Sequence, residues 1–157
     1  MNSLIDNLAK LATEEGYNKT PLSGVGVFKA SKSTKREPLC YSQGIIIIAQ
    51  GQKRVHFNQQ ILNYNPDNYL ALTLPLPAEC ETIVEIGKPL LALVIDLDLA
   101  ILSELVRVLD DHGEIKQTDS NSENKGLFVR QSSEALSCVV TRLADCLNSA
   151  LQCDIIG

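Results

Sequence analysis

The sequence predicts a mainly β domain followed by helices (α+β), and three observations carry that prediction. Between Gly24 and Ile95, short runs rich in Val, Ile, Leu and Tyr alternate with turn residues, and no helix-length periodic stretch interrupts them. Beyond Asp96 the leucines recur instead at helical spacing. The 157 residues, 45% hydrophobic and 21% charged, suffice for one domain with a genuine core. Short strands at this spacing, without intervening helices, indicate an antiparallel sandwich or barrel rather than βαβ units.

The elements follow in order. Residues 3–15 read as a short helix: Ser3 can cap it, Leu4, Leu8 and Leu11 share a face, and Gly16 can end it. Seven candidate strands come next, "VGVFKA", "GIIIIAQ", "KRVHF", "QILNY", "NYLALT", "ECETIVE" and "PLLALVIDL". Their breaks at Gly51, Asn58 to Gln60, "NPD" at 65–67 and "GKP" at 87–89 are turn chemistry. Asp96 or Asp98 can then cap a helix with Leu99, Leu102, Leu105, Val106 and Leu109 as its apolar stripe. Residues 110–126, "DDHGEIKQTDSNSENKG", are polar enough to predict a mobile loop. "LFVRQ" reads as a short extended stretch, and a last helix starts at about Ser132 or Ser133. The abrupt apolar end, "DIIG", suggests a fragment.

Several function classes fall away. A net charge of −5 argues against this chain gripping a phosphate backbone unaided. The start, "MNSLIDNLAKLATEEG", lacks the features of a signal peptide, and no apolar run reaches the roughly 18 residues of a membrane span. Five widely spaced cysteines without CxxC favour a reducing cytoplasm. There is no GxSxG elbow, Walker A or GxGxxG pattern, so neither a catalytic residue nor a cofactor is expected.

The segment from Lys53 to Phe57 carries the finer chemistry. Alternation places Lys53, Val55 and Phe57 on one face and Arg54 and His56 on the other. Val55 and Phe57 should face the core, which turns His56 outward as a solvated or surface-paired histidine. No second histidine lies at i+2 and no glutamate follows in time, so no metal site is expected. Lys53 either ends its hairpin in solvent or reaches an enclosed cavity.

Residues 36–81 resemble the N-terminal sensor domain of AraC-type transcriptional regulators. The likeness lies in "REPLCYSQGIIIIAQ", then "QGQKRV", "YNPDNYL" and "LPLPAE", and it extends to "GVGVFKAS" before and "LLALVIDLD" after. It implies a cupin-like double-stranded β-helix, or jelly roll, followed by a helical dimerisation segment. It also implies a DNA-binding part with two helix-turn-helix motifs, which the single helix buildable after residue 132 cannot supply. The expected layout is therefore an arm and cupin-like barrel over 1–96 and a helical segment over 97–157. The helix-turn-helix domain is expected to lie outside this chain.

The function so implied is effector sensing and dimerisation within a bacterial, cytoplasmic transcription regulator. Its partners would be a small-molecule effector, a second copy of the chain, and DNA only through the missing domain, with no membrane role. A metal-independent, isomerase-like cupin enzyme is the alternative from another class, and a dimerisation module without ligand is a third. The cavity is expected between the sheets, lined mainly by apolar residues of 44–57 and 89–95, with Lys53, Tyr41 and Arg36 as ligand-binding residues. Leu136, Val140, Leu143 and Leu147 on the last helix form a stripe that can seat the helix on its own jelly roll or pair it with a second copy, and dimerisation is the expected use.

Overall fold

A computed structural model describes residues 3–98, 100, 104, 107 and 126–156. The leucine stripe expected from Leu99 to Leu109, His112, and the loop expected at 110–126 except Gly126 lie outside the described residues. The elements are α1 (Leu4–Leu11), β1 (Gly16–Lys19), β2 (Val25–Ala30), β3 (Thr34–Tyr41), β4 (Gly44–Gln50), β5 (Gln52–Phe57) and β6 (Gln60–Tyr64). They continue as β7 (Asn68–Leu72), β8 (Leu76–Ile83), β9 (Leu90–Asp96), β10 (Leu127–Gln131) and α2 (Glu134–Ile156). Among the described residues the strands form two sheets, a larger one ordered β1-β2-β9-β4-β7-β10 and a smaller one ordered β3-β8-β5-β6. Every named pairing is antiparallel.

The larger sheet is covered on both faces. Val27, Ile45, Ile47, Tyr69, Ala71, Leu91 and Leu93 point to a core shared with the two helices. Their strand neighbours Ile48, Leu70, Leu72, Leu90 and Ala92 point to a second core between the sheets. That double burial explains why "GIIIIA" and "LLALV" read as unbroken apolar runs. The smaller sheet has one face in solvent, so its strands alternate: in β5, Lys53 and Val55 are buried while Arg54 and His56 are partly exposed.

Two strands were not expected, and α1 is shorter than expected. Ser3 does cap α1, its hydroxyl accepting from the Asp6 N–H. The helix stops at Leu11 with Ala12 as its C-cap, and Gly16 opens β1 instead of ending the helix. The buried Asn18 side chain accepts from the Glu14 N–H and donates to the Glu14 and Gly16 carbonyls, taking groups a longer helix would use. Strand β3 is hidden in the sequence because nearly every residue in it is exposed and it contains Pro38. It runs along the edge of the smaller sheet, where proline is tolerated.

Helix α2 lies on the back of the larger sheet beside α1. Val140, Ala144 and Leu147 are buried there, with Leu136 and Leu143 packed alongside. Leu136, Val140, Leu143 and Leu147, the stripe expected to serve dimerisation, thus pack within the chain against its own sheet. Such a stripe looks the same from sequence whether it meets a sheet or a second helix. A polar clasp fixes the two helices: fully buried Asn7 donates to Asp145 at 2.8 Å, while Asn148 donates to Asn7 Oδ1 at 3.0 Å. Strand β10 pairs with β7, so the segment after residue 97 contributes a strand to the larger sheet.

The β5–β6 hairpin closes through Asn58 and Gln59, both left-handed at φ 49° and 63°. Two such residues make a tight hairpin turn matched to strand twist, but glutamine adopts this conformation at a cost. Gln59→Gly is therefore expected to raise stability by about 0.5 to 1 kcal/mol, read as a higher urea midpoint with unchanged slope.

Candidate functional site

Between the sheets lies a cavity of about 370 Å³. On one side the sandwich is closed, with β6 packed against β7 and β10. The mouth lies on the other side, where the exposed residues Tyr17, Glu37, Leu39 and Asp96 belong to the lining. The Tyr17 ring lies across Gly26, where any larger residue would collide with it. At the start of β4, Gly44 takes φ +148°, and a side chain there would run into the Ile95 carbonyl. Glycine thus lets β4 and β9 approach closely along the cavity wall.

The two walls differ in chemistry. Inside the mouth, where Tyr17 and Asp96 lie, the larger sheet contributes Phe28, Ala30, Ile46, Ile48, Ala92 and Val94, all apolar. From the smaller sheet come Lys53, Tyr64, Cys80 and Thr82, joined by Tyr41 and Glu37 of β3. Cross-strand register aligns them: Lys53 sits between Tyr64 on β6 and Thr82 on β8.

Lys53 is the most unusual of these residues. It is only 8% exposed, and its ammonium lies 4.6 Å from the centre of the Phe28 ring and 4.0 Å from Cys80 Sγ. Among the described residues no carboxylate lies within 4.0 Å of it. Burial holds its ionisation below the usual lysine range, partly countered by Cys80 and by the charge of Glu37 at the mouth. Nearby, the Tyr41 and Tyr64 hydroxyls share a buried hydrogen bond of 3.2 Å, and burial pushes both phenols above their ordinary range.

Of the three ligand-binding residues expected from sequence, the fold brings Lys53 and Tyr41 to the cavity and leaves Arg36 outside it. Between Thr34 and Glu37, β3 carries one more residue than the facing stretch of β8. That bulge lets Thr34, Glu37, Leu39 and Tyr41 all join the lining, while Arg36 pairs with Glu79 in solvent. The lining also extends beyond the expected 44–57 and 89–95 to Phe28, Tyr64, Cys80 and Thr82. Alternation within β6 and β8 points Tyr64, Cys80 and Thr82 inward, but only the pairing with β5 shows which face of each strand is the inner one.

His56 lies on the outer face, with Nε2 3.2 Å from the Glu81 carboxylate, which Arg54 also approaches at 3.3 Å. The hydrogen bond from His56 is the main cause that holds the Glu81 carboxyl below its usual range. Among the described residues no group of three or more His, Cys, Asp or Glu side chains is placed to hold a metal ion. Nor is any helix there long and apolar enough to cross a membrane.

Two antiparallel sheets around a ligand-sized cavity, with helices behind the larger sheet, define a cupin-like jelly roll with a helical back layer. The chain belongs to the family of AraC-type transcriptional regulator N-termini, whose model matches residues 21–157. It is thus an N-terminal regulatory domain of that type, in a family of transcription-factor domains rather than enzymes. No individually curated protein sequence matches it. Among solved structures it is similar to unsaturated-fatty-acid-bound wild-type ToxT from Vibrio cholerae strain SCE256, at 11% identity and TM-score 0.49, covering 88% of this chain and 50% of that one. ToxT from Vibrio cholerae O395 is similar at 12% identity and TM-score 0.48, over 77% of this chain and 44% of that one. The chain therefore spans about half the length of the structures it resembles.

Proposed function

We propose that this domain senses a small apolar molecule bearing a carboxylate and passes its presence to DNA binding by a separate part of a transcription regulator. One observation carries the reading: the buried Lys53 ammonium faces a mainly apolar cavity with no carboxylate of the described chain within ion-pair distance. An ammonium removed from water costs several kcal/mol unless an anion compensates it. A ligand carboxylate can supply that charge at Lys53 while its hydrocarbon lies against Phe28, Ile46 and Ile48. The volume falls at the lower end of the roughly 300–1,000 Å³ found for ligand pockets. Tyr41, whose hydroxyl is tied to Tyr64, shapes the same wall and orients the bound group.

Octanoate is a suitable probe, with 1-octanol as its uncharged match. Calorimetry is expected to show octanoate binding at least about tenfold more tightly, a difference of about 1.4 kcal/mol. Equal affinity for the acid and the alcohol would remove Lys53 from the reading.

Sensing becomes regulation when ligand binds two arrangements of the domain unequally. The larger sheet supplies the physical link, since its strands touch the cavity on one face and both helices on the other. In this reading the regulator acts in the cytoplasm as a homodimer. The available surface on α2 is its outward face, where Cys138, Val139, Arg142 and Cys146 are exposed. Residues 1–157 alone, with net charge −5, are expected to show no salt-sensitive DNA binding in a mobility-shift titration.

A further inference from the structure

We infer that Thr82 is a second polar subsite of the cavity, which selects apolar carboxylates bearing a hydroxyl or keto oxygen on the third carbon. The inference rests on the reading that a carboxylate meets Lys53, and it narrows the class of that acid. Thr82 is 4% exposed and belongs to the cavity lining. Its backbone N–H donates to the Thr34 hydroxyl, while its own hydroxyl has no hydrogen-bond partner among the described residues. That hydroxyl is not sealed in the core. Among the described residues, Arg130 Nε is the only buried side-chain nitrogen or oxygen that lacks both a partner and access to open space. The unbonded Thr82 hydroxyl therefore keeps its access, and the open space beside it is the cavity. A hydroxyl withdrawn from bulk water in this way calls for a partner, and a ligand in the cavity can be one.

The register shows where on the ligand that partner belongs. Thr82 on β8, Lys53 on β5 and Tyr64 on β6 lie side by side across three strands, opposite the apolar wall of Phe28, Ile46 and Ile48. On the β6 side the Tyr64 hydroxyl is already bonded to that of Tyr41 at 3.2 Å. Thr82 thus carries the free hydroxyl of the row. Neighbouring strands run about 4.8 Å apart, so a carboxylate held at Lys53 stands about one strand step from Thr82. An oxygen on the second carbon lies beside the carboxylate oxygens and meets the same donor as they do. An oxygen on the third carbon can turn away from them and span the step, while the remaining hydrocarbon follows the apolar wall. A threonine hydroxyl both donates and accepts, so a hydroxyl or a keto oxygen suits it there. Because the two walls are fixed, only one hand of a 3-hydroxy acid turns its hydroxyl toward β8 with its chain on the larger sheet.

Calorimetry with octanoate and with each enantiomer of 3-hydroxyoctanoate tests this on wild type, Thr82→Val and Thr82→Ser. In wild type one enantiomer is expected to bind at least about fivefold more tightly than octanoate, as one added hydrogen bond provides. Thr82→Val keeps the shape and removes the hydroxyl, so it should lose that preference with octanoate affinity unchanged. Thr82→Ser should retain the preference. Since the deleted hydroxyl is unbonded, Thr82→Val should also unfold at a urea concentration no lower than wild type does. Octanoate binding as tightly as both hydroxy acids in wild type, or a preference that survives in Thr82→Val, would overturn the inference. Octanol separates it from the reading beneath. Octanoate preferred over octanol, with no gain from the third-carbon hydroxyl, defeats this inference alone. Octanoate no tighter than octanol defeats the carboxylate reading itself.

Discussion

Lys53→Met is expected to give a more stable protein that no longer distinguishes octanoate from octanol. Methionine nearly matches the lysine stem in length and fills the space beside Phe28 and Cys80 without placing a charge there. Relief of the buried ammonium should raise unfolding free energy by about 1 to 2 kcal/mol, less than full desolvation because Phe28 already offers its ring face. The gain should depend on pH in a definite direction. Burial lowers the folded-state ionisation of Lys53 from its ordinary value of 10.5, so the unfolded chain holds that proton more tightly. The penalty in the wild type is complete below the folded value and is relieved as pH rises from there toward 10.5. Urea denaturation of both proteins at neutral and alkaline pH should show the advantage of Lys53→Met shrinking upward. An advantage that is flat or grows with pH would mean that the Lys53 ammonium is not penalised in the fold.

Leu147→Asp should be the most damaging single change on α2, costing about 3 to 5 kcal/mol. Leu147 is 4% exposed and meets the core behind the larger sheet, so an aspartate there would be buried without a partner or would lift the helix away. Val139→Asp, on the opposite face where Val139 is 60% exposed, should change stability by no more than about 0.5 kcal/mol. The pair separates two roles for the helix. If α2 also joins two chains, Val139→Asp should lower the mass measured by light scattering while leaving the fold intact. If Leu147→Asp instead stayed folded and merely became monomeric, the placement of that face against its own sheet would be wrong.

The central strands of the larger sheet, β4 and β9, are legible because burial on both faces leaves an unbroken apolar run. Alternation in β5 was equally legible, and it placed Lys53 on the side of Val55 before any pairing was known. Two strands were not. Strand β1 has four residues, and β3 combines charges, Pro38 and exposure on both faces. Without β3, residues 36 and 41 could not be assigned to faces, and Arg36 was grouped with Tyr41 although the strand sends them to different sides. Cys80 and Thr82 were missed for another reason. Their importance comes from lying across from Val55 and Lys53, a relation of register that no local pattern contains. The stripe on α2 is legible as apolar, but what it packs against is not, because a sheet and a second helix demand the same spacing.

The division of the cavity into an apolar wall and a polar wall bears on how such a domain can change over generations. Substitutions on the larger sheet are constrained twice, since a shift that suits a new ligand also disturbs the surface on which α1 and α2 rest. Lys53, Tyr64, Cys80 and Thr82 belong to a sheet whose outer face meets water, so their replacement leaves the helical layer untouched. Chemical taste can therefore drift on one wall while the response is preserved by the other. A lineage of sensors built on this plan would diverge in ligand through odd or even positions of β5, β6 and β8, and would keep a common output.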